Sequence, residues 1–212
     1  MKAIVINASP RKNWNTAELI KSAKKGAESA GAETEYFDLY DLSFRGCMSC
    51  LACKRKGNEP CRCYWNDDLP PLIEKILNAN TLLIGSPIYF GEPTAQFRAL
   101  LERLLFCVLS YDTRSSAFKG KLNIGLIYTM NAPRETYENI YLEKFKFHEH
   151  SLVRLLNGEV RSLASCDTLQ VPDYSKYNMA AFSEEHKRKV HDEVFPQDLQ
   201  NAYKLGAELS RI

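Results

Sequence analysis

Runs of apolar residues alternate with amphipathic segments along the whole chain. The runs Ala3–Ala8 and Thr81–Gly85 are apolar at almost every position, and Lys121–Thr129 is apolar around its centre. Such runs are typical of parallel strands that are buried on both faces. Glu33–Leu39 alternates enough to predict another strand, and Val160–Val171 contains a weaker one. The pattern therefore predicts five strands.

Between these strands, apolar residues recur at the spacing of one helix face. In the first such segment Leu19, Ile20, Ala23 and Ala27 share a face. The predicted helices are one that ends near Gly31, one from Asp67 or Asp68 to about Leu77, one over Thr94–Leu109, one over most of Tyr137–Leu156, and one over Glu184–Ile212 that Pro196 divides in two.

The alternation of strands and helices predicts an α/β fold with helices on both faces of a parallel sheet. Five strands in a chain of this length fit the flavodoxin-like, doubly wound order 2-1-3-4-5. No internal repeat or linker interrupts the pattern. We expect one domain over residues 1–212, with a cysteine-rich loop at 44–66 after the second strand.

Composition excludes several classes of function. The net charge of +2 over 212 residues gives no reason to expect a nucleic-acid or membrane partner. No apolar run of about 18 residues is present. The apolar part of Met1–Asn7 is too short for a signal peptide, so we expect a cytoplasmic protein with reduced thiols. Clustered cysteines then favour metal or redox chemistry over disulfides.

Three loops are expected to meet at the carboxyl ends of the strands, where such sheets bind ligands. Ser9–Thr16 combines hydroxyl, amide and guanidinium donors with a following helix N-terminus, which predicts a phosphate site; an ordinary capped turn is the alternative. Ser86 and Pro87 are expected to end the third strand. Pro87–Pro93 then suits the edge of a flat heterocycle or a packed aromatic turn. Met130–Arg134, which follows the fourth predicted strand, is the third of these loops.

The first two loops together resemble a known family. Ser9-Pro10-Arg11-Lys12-Asn13-x-Asn15-Thr16 and Ser86-Pro87-Ile88-Tyr89-Phe90-Gly91 are similar to the flavin-binding loops of NAD(P)H-dependent FMN reductases. The cysteine segment, followed by Asp67-Asp68, resembles the branch that contains iron–sulfur flavoproteins. Asp173–Tyr177 is also similar to that branch. The three motifs occur in the expected order.

The resemblance implies a flavodoxin-like fold that binds FMN, in a homodimer or homotetramer with the flavin near a subunit interface. Thr129–Asn131 is a weaker candidate for flavin contacts, because relatives often have small polar residues or glycines there. Carried over by position, the FMN phosphate would be held by Ser9, Arg11, Asn15 and Thr16. The isoalloxazine would be lined by Pro87, Ile88, Tyr89, Phe90 and Gly91.

The implied activity is electron transfer from NAD(P)H through FMN to a quinone, a flavin, a nitro or azo compound, or a redox protein. No protein acid or base is required, so we assign no catalytic residue. A backbone N–H of the Tyr89–Gly91 turn is a candidate to tune the flavin. The alternative is a non-enzymatic electron-transfer flavoprotein of the flavodoxin or iron–sulfur flavoprotein type.

Five of the seven cysteines lie close together, in Cys47-x-x-Cys50-x-x-Cys53 and Cys61-x-Cys63. Thiolates at this spacing suit a [4Fe–4S] cluster held by the first three and by Cys63, with Cys61 as the alternative fourth ligand. Zinc is a second interpretation, although zinc sites usually pair two knuckles across a longer gap. Reactive thiols and thiols that bind no metal remain open, and together they carry more weight than a cluster.

Overall fold

The computed structural model describes residues 1–211 and contains a six-stranded sheet. The final residue of the last predicted helix, Ile212, lies outside the described residues. The strands are β1 (Lys2–Asn7), β2 (Glu33–Asp38), β3 (Thr81–Tyr89), β4 (Glu92–Pro93), β5 (Leu122–Met130) and β6 (Asn157–Cys166). The helices are α1 (Asn15–Ser29), α2 (Leu69–Leu77), α3 (Ala95–Val108), α4 (Arg134–Thr136), α5 (Leu142–Leu156), α6 (Glu184–Glu193) and α7 (Phe195–Leu209).

Five parallel strands form the body of the sheet in the order β2-β1-β3-β5-β6. The two-residue strand β4 pairs antiparallel with the end of β3 and stands outside this order. Without β4, the order is the doubly wound 2-1-3-4-5 order of a flavodoxin-like fold, as the sequence predicts. The change of direction lies between β1 and β3, so the carboxyl edge there is the expected ligand site.

Each face of the sheet carries its own apolar layer. On one face, β-strand residues such as Val5 and Leu83 pack with α1 and α7. On the other face, Ile84 and Leu126 pack with α2, α3 and α5. The central strands β1, β3 and β5 are buried on both faces, which explains their almost continuous apolar runs.

Helices α1 and α7 lie unusually close together because each has a glycine at the contact. A Cβ on Gly26 would stand 1.9 Å from the carbonyl oxygen of Tyr203, and one on Gly206 would stand 1.9 Å from that of Ala23. Any larger residue at either position would force the two helices apart. This contact fixes α1, whose first turn belongs to the site described below.

Three sequence predictions need correction. The third strand does not end at Ser86-Pro87 but continues to Tyr89, because the register with β5 extends to Pro87 and Thr129. The last strand begins at Asn157, directly after α5, and ends at Cys166. The predicted helix from Tyr137 begins with a π-helical turn over Tyr137–Tyr141 before α5. The predicted division of the last helical segment is confirmed, since α6 ends at Glu193 and Pro196 lies in the first turn of α7.

None of the helices within residues 1–211 is both long enough and apolar enough to span a bilayer.

Candidate functional site

The loops after β1 and β3 are tied together by buried hydroxyl groups. The hydroxyl of Thr94 donates to the carbonyl oxygen of Ala8 at 2.8 Å, and the Ser86 hydroxyl accepts from the amide of Thr94 at 3.0 Å. Both hydroxyl-bearing side chains are buried. These bonds fix the relative position of the two loops at the carboxyl edge of the sheet.

The loop after β1 has an ordered backbone. The side-chain oxygen of Asn7 accepts from the amide of Ser9 at 3.1 Å, and the Ser9 hydroxyl accepts from the amide of Arg11 at the same distance. Ser9 and Thr16 are almost fully buried, and the Thr16 hydroxyl lies 2.7 Å from that of Thr129. The residues predicted to bind phosphate therefore belong to a rigid turn that also contacts β5.

The N-terminus of α1 has no side-chain cap. Trp14 occupies the cap position, and its side chain accepts no hydrogen bond from the first turn. By contrast, Thr94 caps α3 through the amide of Phe97. Amides at an uncapped helix N-terminus, together with the helix dipole, favour an anion. The two helices differ in this respect although both begin at the same edge of the sheet.

The loop after β3 is a tight hairpin. Ile88 pairs with Pro93 and Tyr89 with Glu92, which leaves Phe90 and Gly91 as the two tip residues. Both tip residues have positive φ, 49° for Phe90 and 81° for Gly91. Positive φ at both central positions is the conformation of a type I′ turn, and it strains a bulky residue such as Phe90.

The hairpin tip is held from outside by α5. The ammonium of Lys144 donates to the carbonyl oxygen of Gly91 at 3.0 Å and pairs with Glu92 at 2.5 Å. The ring of Phe90 is fully exposed at the tip, and Tyr89 is 47% exposed. The hairpin therefore presents aromatic surface to solvent at a fixed position.

A cavity of about 140 Å³ lies where the three predicted loops meet. The end of β3 contributes Pro87, Ile88 and Tyr89 to the lining, whereas Phe90 and Gly91 do not line this cavity. Its remaining lining is contributed by Ser9, Arg11, Trp14, Asn15, Thr16, Thr129, Met130, Asn131, Thr168 and Gln170. Every residue predicted for the phosphate thus lines one cavity.

Sequence reasoning missed the segment after β6 that covers this cavity. We call residues 167–172 the strap. The guanidinium of Arg11 donates to the carbonyl oxygen of Gln170 at 2.6 Å, and the Asn15 amide donates to that of Leu169 at 2.8 Å. The Trp14 indole also donates to Leu169. Because the strap binds through backbone carbonyls, no residue type in its sequence could have revealed it.

The strap also carries an unsatisfied acceptor. The side-chain oxygen of Gln170 is buried and has no hydrogen-bond partner within residues 1–211. The backbone amide of Gln170 donates to the hydroxyl of Tyr174 at 3.1 Å. An orphaned buried acceptor in a cavity wall is uncommon in native proteins, and a donor from a ligand or a water would satisfy it.

The base of the strap is anchored by a buried ion pair. Lys187 of α6 is 2% exposed and pairs with Asp167, and its ammonium also donates to Asn131 at the end of β5. Burial raises the pKa of the Asp167 carboxyl, but its hydrogen bonds from Lys187 and His186 outweigh burial, so the pKa is lowered. The strap is therefore fixed to the same edge of the sheet as the predicted loops.

The cysteine-rich loop places four thiols around a second, smaller cavity. Cys47, Cys50, Cys53 and Cys63 all line it, whereas Cys61 faces a different cleft. We call this cavity the cysteine chamber. Ser49 and Leu51 have positive φ, and these left-handed residues turn the chain between the first three cysteines. The geometry thus brings Cys63, rather than Cys61, to the Cys-x-x-Cys-x-x-Cys segment.

Arg103 of α3 holds the fourth cysteine in position. Its side chain is 1% exposed, and it donates to Cys63 Sγ at 3.2 and 3.3 Å. The same guanidinium pairs with Asp67 at 2.6 Å and donates to the carbonyl oxygen of Arg45. One buried cation therefore connects both ends of the cysteine-rich loop to α3.

Burial raises the pKa of two thiols that border the chamber. It raises the pKa of Cys53, and the nearby sulfurs of Cys63, Cys50 and Cys47 raise it further. Cys107 of α3 also borders the chamber, and burial raises the pKa of its thiol strongly. Cys107 therefore faces the same space as the four thiols of the cysteine-rich loop.

The geometry of the chamber bears on both the zinc and the iron–sulfur interpretations. Within residues 1–211, no three or more Cys, His, Asp or Glu side chains are arranged to hold a single metal ion. A four-iron cube takes one thiolate at each of four corners, so its ligands surround a larger centre. Four thiols and two N–H donors to sulfur fit that donor chemistry. The space of about 20 Å³ admits one water, so a cluster would require the loop to move outward.

Comparison with known proteins identifies the family. The family model described as NADPH-dependent FMN reductase matches residues 1–133. The chain belongs to this NADPH-dependent FMN reductase family. The matched region contains both predicted flavin loops and the whole cysteine-rich loop.

The chain is also similar to curated iron-sulfur flavoproteins. An iron-sulfur flavoprotein of Methanocaldococcus jannaschii is 36% identical over 103 residues, which are 49% of this chain and 51% of that protein. An iron-sulfur flavoprotein of Archaeoglobus fulgidus is 32% identical over 127 residues, which are 59% of this chain and 60% of that protein. The chain therefore spans between half and two thirds of the length of these relatives.

Solved structures agree on the fold. The NAD(P)H:quinone oxidoreductase from Methanothermobacter marburgensis has a TM-score of 0.70 at 17% identity, and the match covers 100% of this chain and 98% of that one. At this identity the likeness shows the fold alone, and it confirms the α/β architecture expected for an FMN reductase.

Proposed function

We propose that the chain binds FMN at the carboxyl edge of the sheet and transfers electrons from NAD(P)H to a small acceptor such as a quinone, a flavin, or a nitro or azo compound. The observation that carries this proposal is the convergence of Ser9, Arg11, Asn15 and Thr16 with Pro87–Tyr89 around one cavity. Membership of the FMN reductase family supports it.

The phosphate end of FMN suits the part of the cavity next to the N-terminus of α1. The uncapped N-terminus of α1 offers amides, and Arg11 and Asn15 offer side-chain donors that now bind strap carbonyls. A phosphate would give these donors a charged acceptor, and charge-assisted bonds are stronger than bonds to a carbonyl. The orphaned oxygen of Gln170 then suits a ribityl hydroxyl donor.

The ring end of FMN does not fit inside the same space. A cavity of about 140 Å³ is smaller than the 300–1,000 Å³ typical of sites for ligands of this size. Pro87, Ile88 and Tyr89 would therefore hold the isoalloxazine at the edge of the cavity, near the exposed rings of Tyr89 and Phe90. Bound FMN would supply hydride and electron transfer; the chain supplies its position and its polar contacts.

Titration of FMN and of riboflavin tests the phosphate assignment. Binding is measured by quenching of flavin fluorescence in the wild type and in Arg11→Ala. We expect Arg11→Ala to weaken FMN about tenfold or more and to leave riboflavin almost unchanged, because only FMN has a phosphate. Arg62→Ala, which removes an exposed arginine far from this cavity in sequence, is the control. Equal losses for both ligands would contradict the assignment.

The cysteine chamber favours a second candidate function, that of an electron-transfer flavoprotein with an iron–sulfur cluster. Cys47, Cys50, Cys53 and Cys63 would hold the cluster, and Arg103 would donate to the sulfur of Cys63. Two relatives are named iron-sulfur flavoproteins. Sustained NAD(P)H consumption with a small acceptor supports the enzyme, whereas slow reduction by NAD(P)H and fast exchange with a protein carrier support this alternative.

Iron and sulfide analysis of anaerobically purified variants tests the ligand set. Cys63→Ser and Cys61→Ser are a matched pair, since both cysteines are half-buried and lie two residues apart. We expect Cys63→Ser to lose most of its iron and Cys61→Ser to retain it. Retention in Cys63→Ser with loss in Cys61→Ser would contradict the assignment, as would iron-free wild type.

A further inference from the structure

The side chain of Asn7 connects the loop after β1 to the end of β2. Asn7 is fully buried, and it lies opposite Asp38 in the parallel ladder of the two strands. Its side-chain amide donates to Asp38 Oδ1 at 2.8 Å, and its side-chain oxygen accepts from the amide of Ser9 at 3.1 Å. Ser9 lines the cavity that we propose for FMN, whereas Asn7 and Asp38 lie behind it and do not.

Only one orientation of the Asn7 side chain satisfies both of its neighbours. A carboxylate only accepts hydrogen bonds, and a backbone N–H only donates them. The NH₂ end must therefore face Asp38, and the carbonyl end must face Ser9. Without an acceptor at position 38, nothing would hold the amide in this orientation, and the buried N–H of Ser9 would lose its partner.

The carboxylate of Asp38 is itself fixed by Tyr36. The two side chains lie two residues apart on β2 and so share a face of the strand. The Tyr36 hydroxyl donates to Asp38 Oδ1 at 3.1 Å, so this oxygen accepts two hydrogen bonds. Burial and the charge of Asp38 raise the pKa of the Tyr36 hydroxyl, which therefore remains a donor. The sheet thus orients the acceptor that orients Asn7.

The orientation of Asn7 reaches the residues predicted to bind phosphate. The Ser9 hydroxyl accepts from the backbone amide of Arg11 at 3.1 Å, so the chain of bonds that begins at Asp38 ends at Arg11. Ser9 and Arg11 both line the cavity. A binding loop keeps its donors in place only when the groups behind it are themselves hydrogen-bonded.

The charge of Asp38 acts against the same phosphate. A carboxylate near an anion site repels the anion, so loss of this charge alone would strengthen phosphate binding. The nearby carboxylate of Asp41 has the same sign and pairs with Lys12 of the loop at 2.5 Å. Position and charge therefore predict opposite effects when Asp38 is removed, and an experiment can tell them apart.

We propose that Asp38 is a positioning residue for the phosphate of FMN: it fixes the side chain of Asn7 and thereby holds the loop after β1 in the shape that presents Ser9 and Arg11 to the phosphate. This role rests on the proposed function, because it requires FMN in the cavity. The chain of hydrogen bonds from Asp38 to Ser9 does not depend on a ligand.

Titration of FMN and riboflavin into Asp38→Leu tests the role in binding. Leucine has a similar size and accepts no hydrogen bond, so we expect FMN to bind about tenfold more weakly, the effect of one lost buried hydrogen bond, and riboflavin to change less than about twofold. Asp41→Leu removes the same charge from an exposed site and should leave FMN binding unchanged or slightly tighter. Tighter FMN binding by Asp38→Leu, or equal losses for the two flavins, would overturn the proposal.

An exchange of the two side chains tests the direction of the bond. Asn7→Asp alone sets two carboxylates against each other and should weaken FMN more than Asp38→Leu does. In the double variant Asn7→Asp, Asp38→Asn, the amide at 38 donates to the carboxylate at 7, whose other oxygen accepts from Ser9, and the net charge is that of the wild type. We expect the double variant to recover about tenfold or more of the affinity that Asn7→Asp loses. No recovery by a folded double variant would overturn the proposal.

Amide hydrogen exchange of the ligand-free protein separates this proposal from the proposed function. The Ser9 amide should exchange about tenfold faster in Asp38→Leu and at the wild-type rate in Asp41→Leu. Unchanged exchange at Ser9 in Asp38→Leu would overturn the proposal and leave the proposed function intact if the wild type binds FMN. Faster exchange in a protein whose wild type binds no FMN would confirm the bonds behind the loop and refute the proposed function, and with it the role of Asp38 toward phosphate.

Discussion

The cavity of about 140 Å³ that we propose binds FMN, called the flavin cavity here, and the cysteine chamber differ in how the fold builds them. Loops at the ends of central strands form the flavin cavity, and its hydroxyl residues Ser9 and Thr16 are almost fully buried. The chamber lies in a segment whose only regular structure is the short turn Ala52–Lys54, and Cys50 is exposed. The residues of the first cavity are therefore positioned by the sheet itself, whereas the shape of the chamber depends on a few side-chain contacts.

The chief anchor of the cysteine-rich loop gives the largest expected effect. Arg103→Met leaves the Asp67 carboxylate without its partner and should lower the free energy of unfolding by about 3 kcal/mol. Urea unfolding measures this change. Arg62→Met removes an exposed pair with Glu59 in the same loop and should cost less than about 1 kcal/mol. Similar losses in the two variants would show that Arg103 is not a special anchor.

Acid should weaken the same anchor. Burial raises the pKa of Asp67, but the Arg103 hydrogen bond and the Leu69 amide outweigh it, so the folded pKa lies below 3.8. A carboxyl with a lowered folded pKa contributes stability above its unfolded pKa and loses it as pH falls through the folded value. The stability gap between wild type and Asp67→Asn should therefore be full at neutral pH and shrink below pH 3.8. Urea titrations at several pH values measure it; a gap that widens in acid would contradict this.

Strain at the hairpin tip gives a smaller effect on the flavin side. Phe90 has a φ of 49°, and glycine adopts such values without the Cβ penalty. Phe90→Gly should therefore be about 1 kcal/mol more stable than Phe90→Ala, which removes the ring but keeps the Cβ. Thermal unfolding of the pair measures the difference. Equal stabilities would show that the turn is not strained.

The smallest expected effect is on FMN affinity and comes from a change in the strap. Gln170→Ala removes the orphaned acceptor and should weaken FMN about fivefold, the value of one neutral hydrogen bond. Flavin fluorescence titration measures the dissociation constant. Gln197→Ala changes an exposed glutamine of α7 and serves as the matched control. An unchanged dissociation constant in Gln170→Ala would remove the strap from the flavin site.

Local pattern predicted those parts of the molecule that depend on burial. The apolar runs predicted β1, β3 and β5, which are buried on both faces. The alternation of five strands with helices predicted their order. The end of β3 was missed because Ser86-Pro87 looks like a turn, although Pro87 pairs in register with Thr129. Its missing amide does not prevent a position at the end of a strand.

The contacts that sequence reasoning could not find join residues far apart in the chain. Arg11 meets the carbonyl oxygen of Gln170, and Arg103 meets Asp67 and Cys63. Neither a backbone carbonyl nor a buried arginine leaves a local pattern in the sequence. Spacing alone likewise left Cys61 and Cys63 open, and only the turn of the loop brings Cys63 to the chamber.

We propose that the sheet prepares the FMN site and that FMN binding does not depend on the cysteine chamber. FMN titration of a variant with Cys47→Ser, Cys50→Ser, Cys53→Ser and Cys63→Ser tests it most directly. The account predicts a dissociation constant within about twofold of the wild type, with an unchanged circular dichroism spectrum. Loss of FMN binding by a folded variant would contradict it.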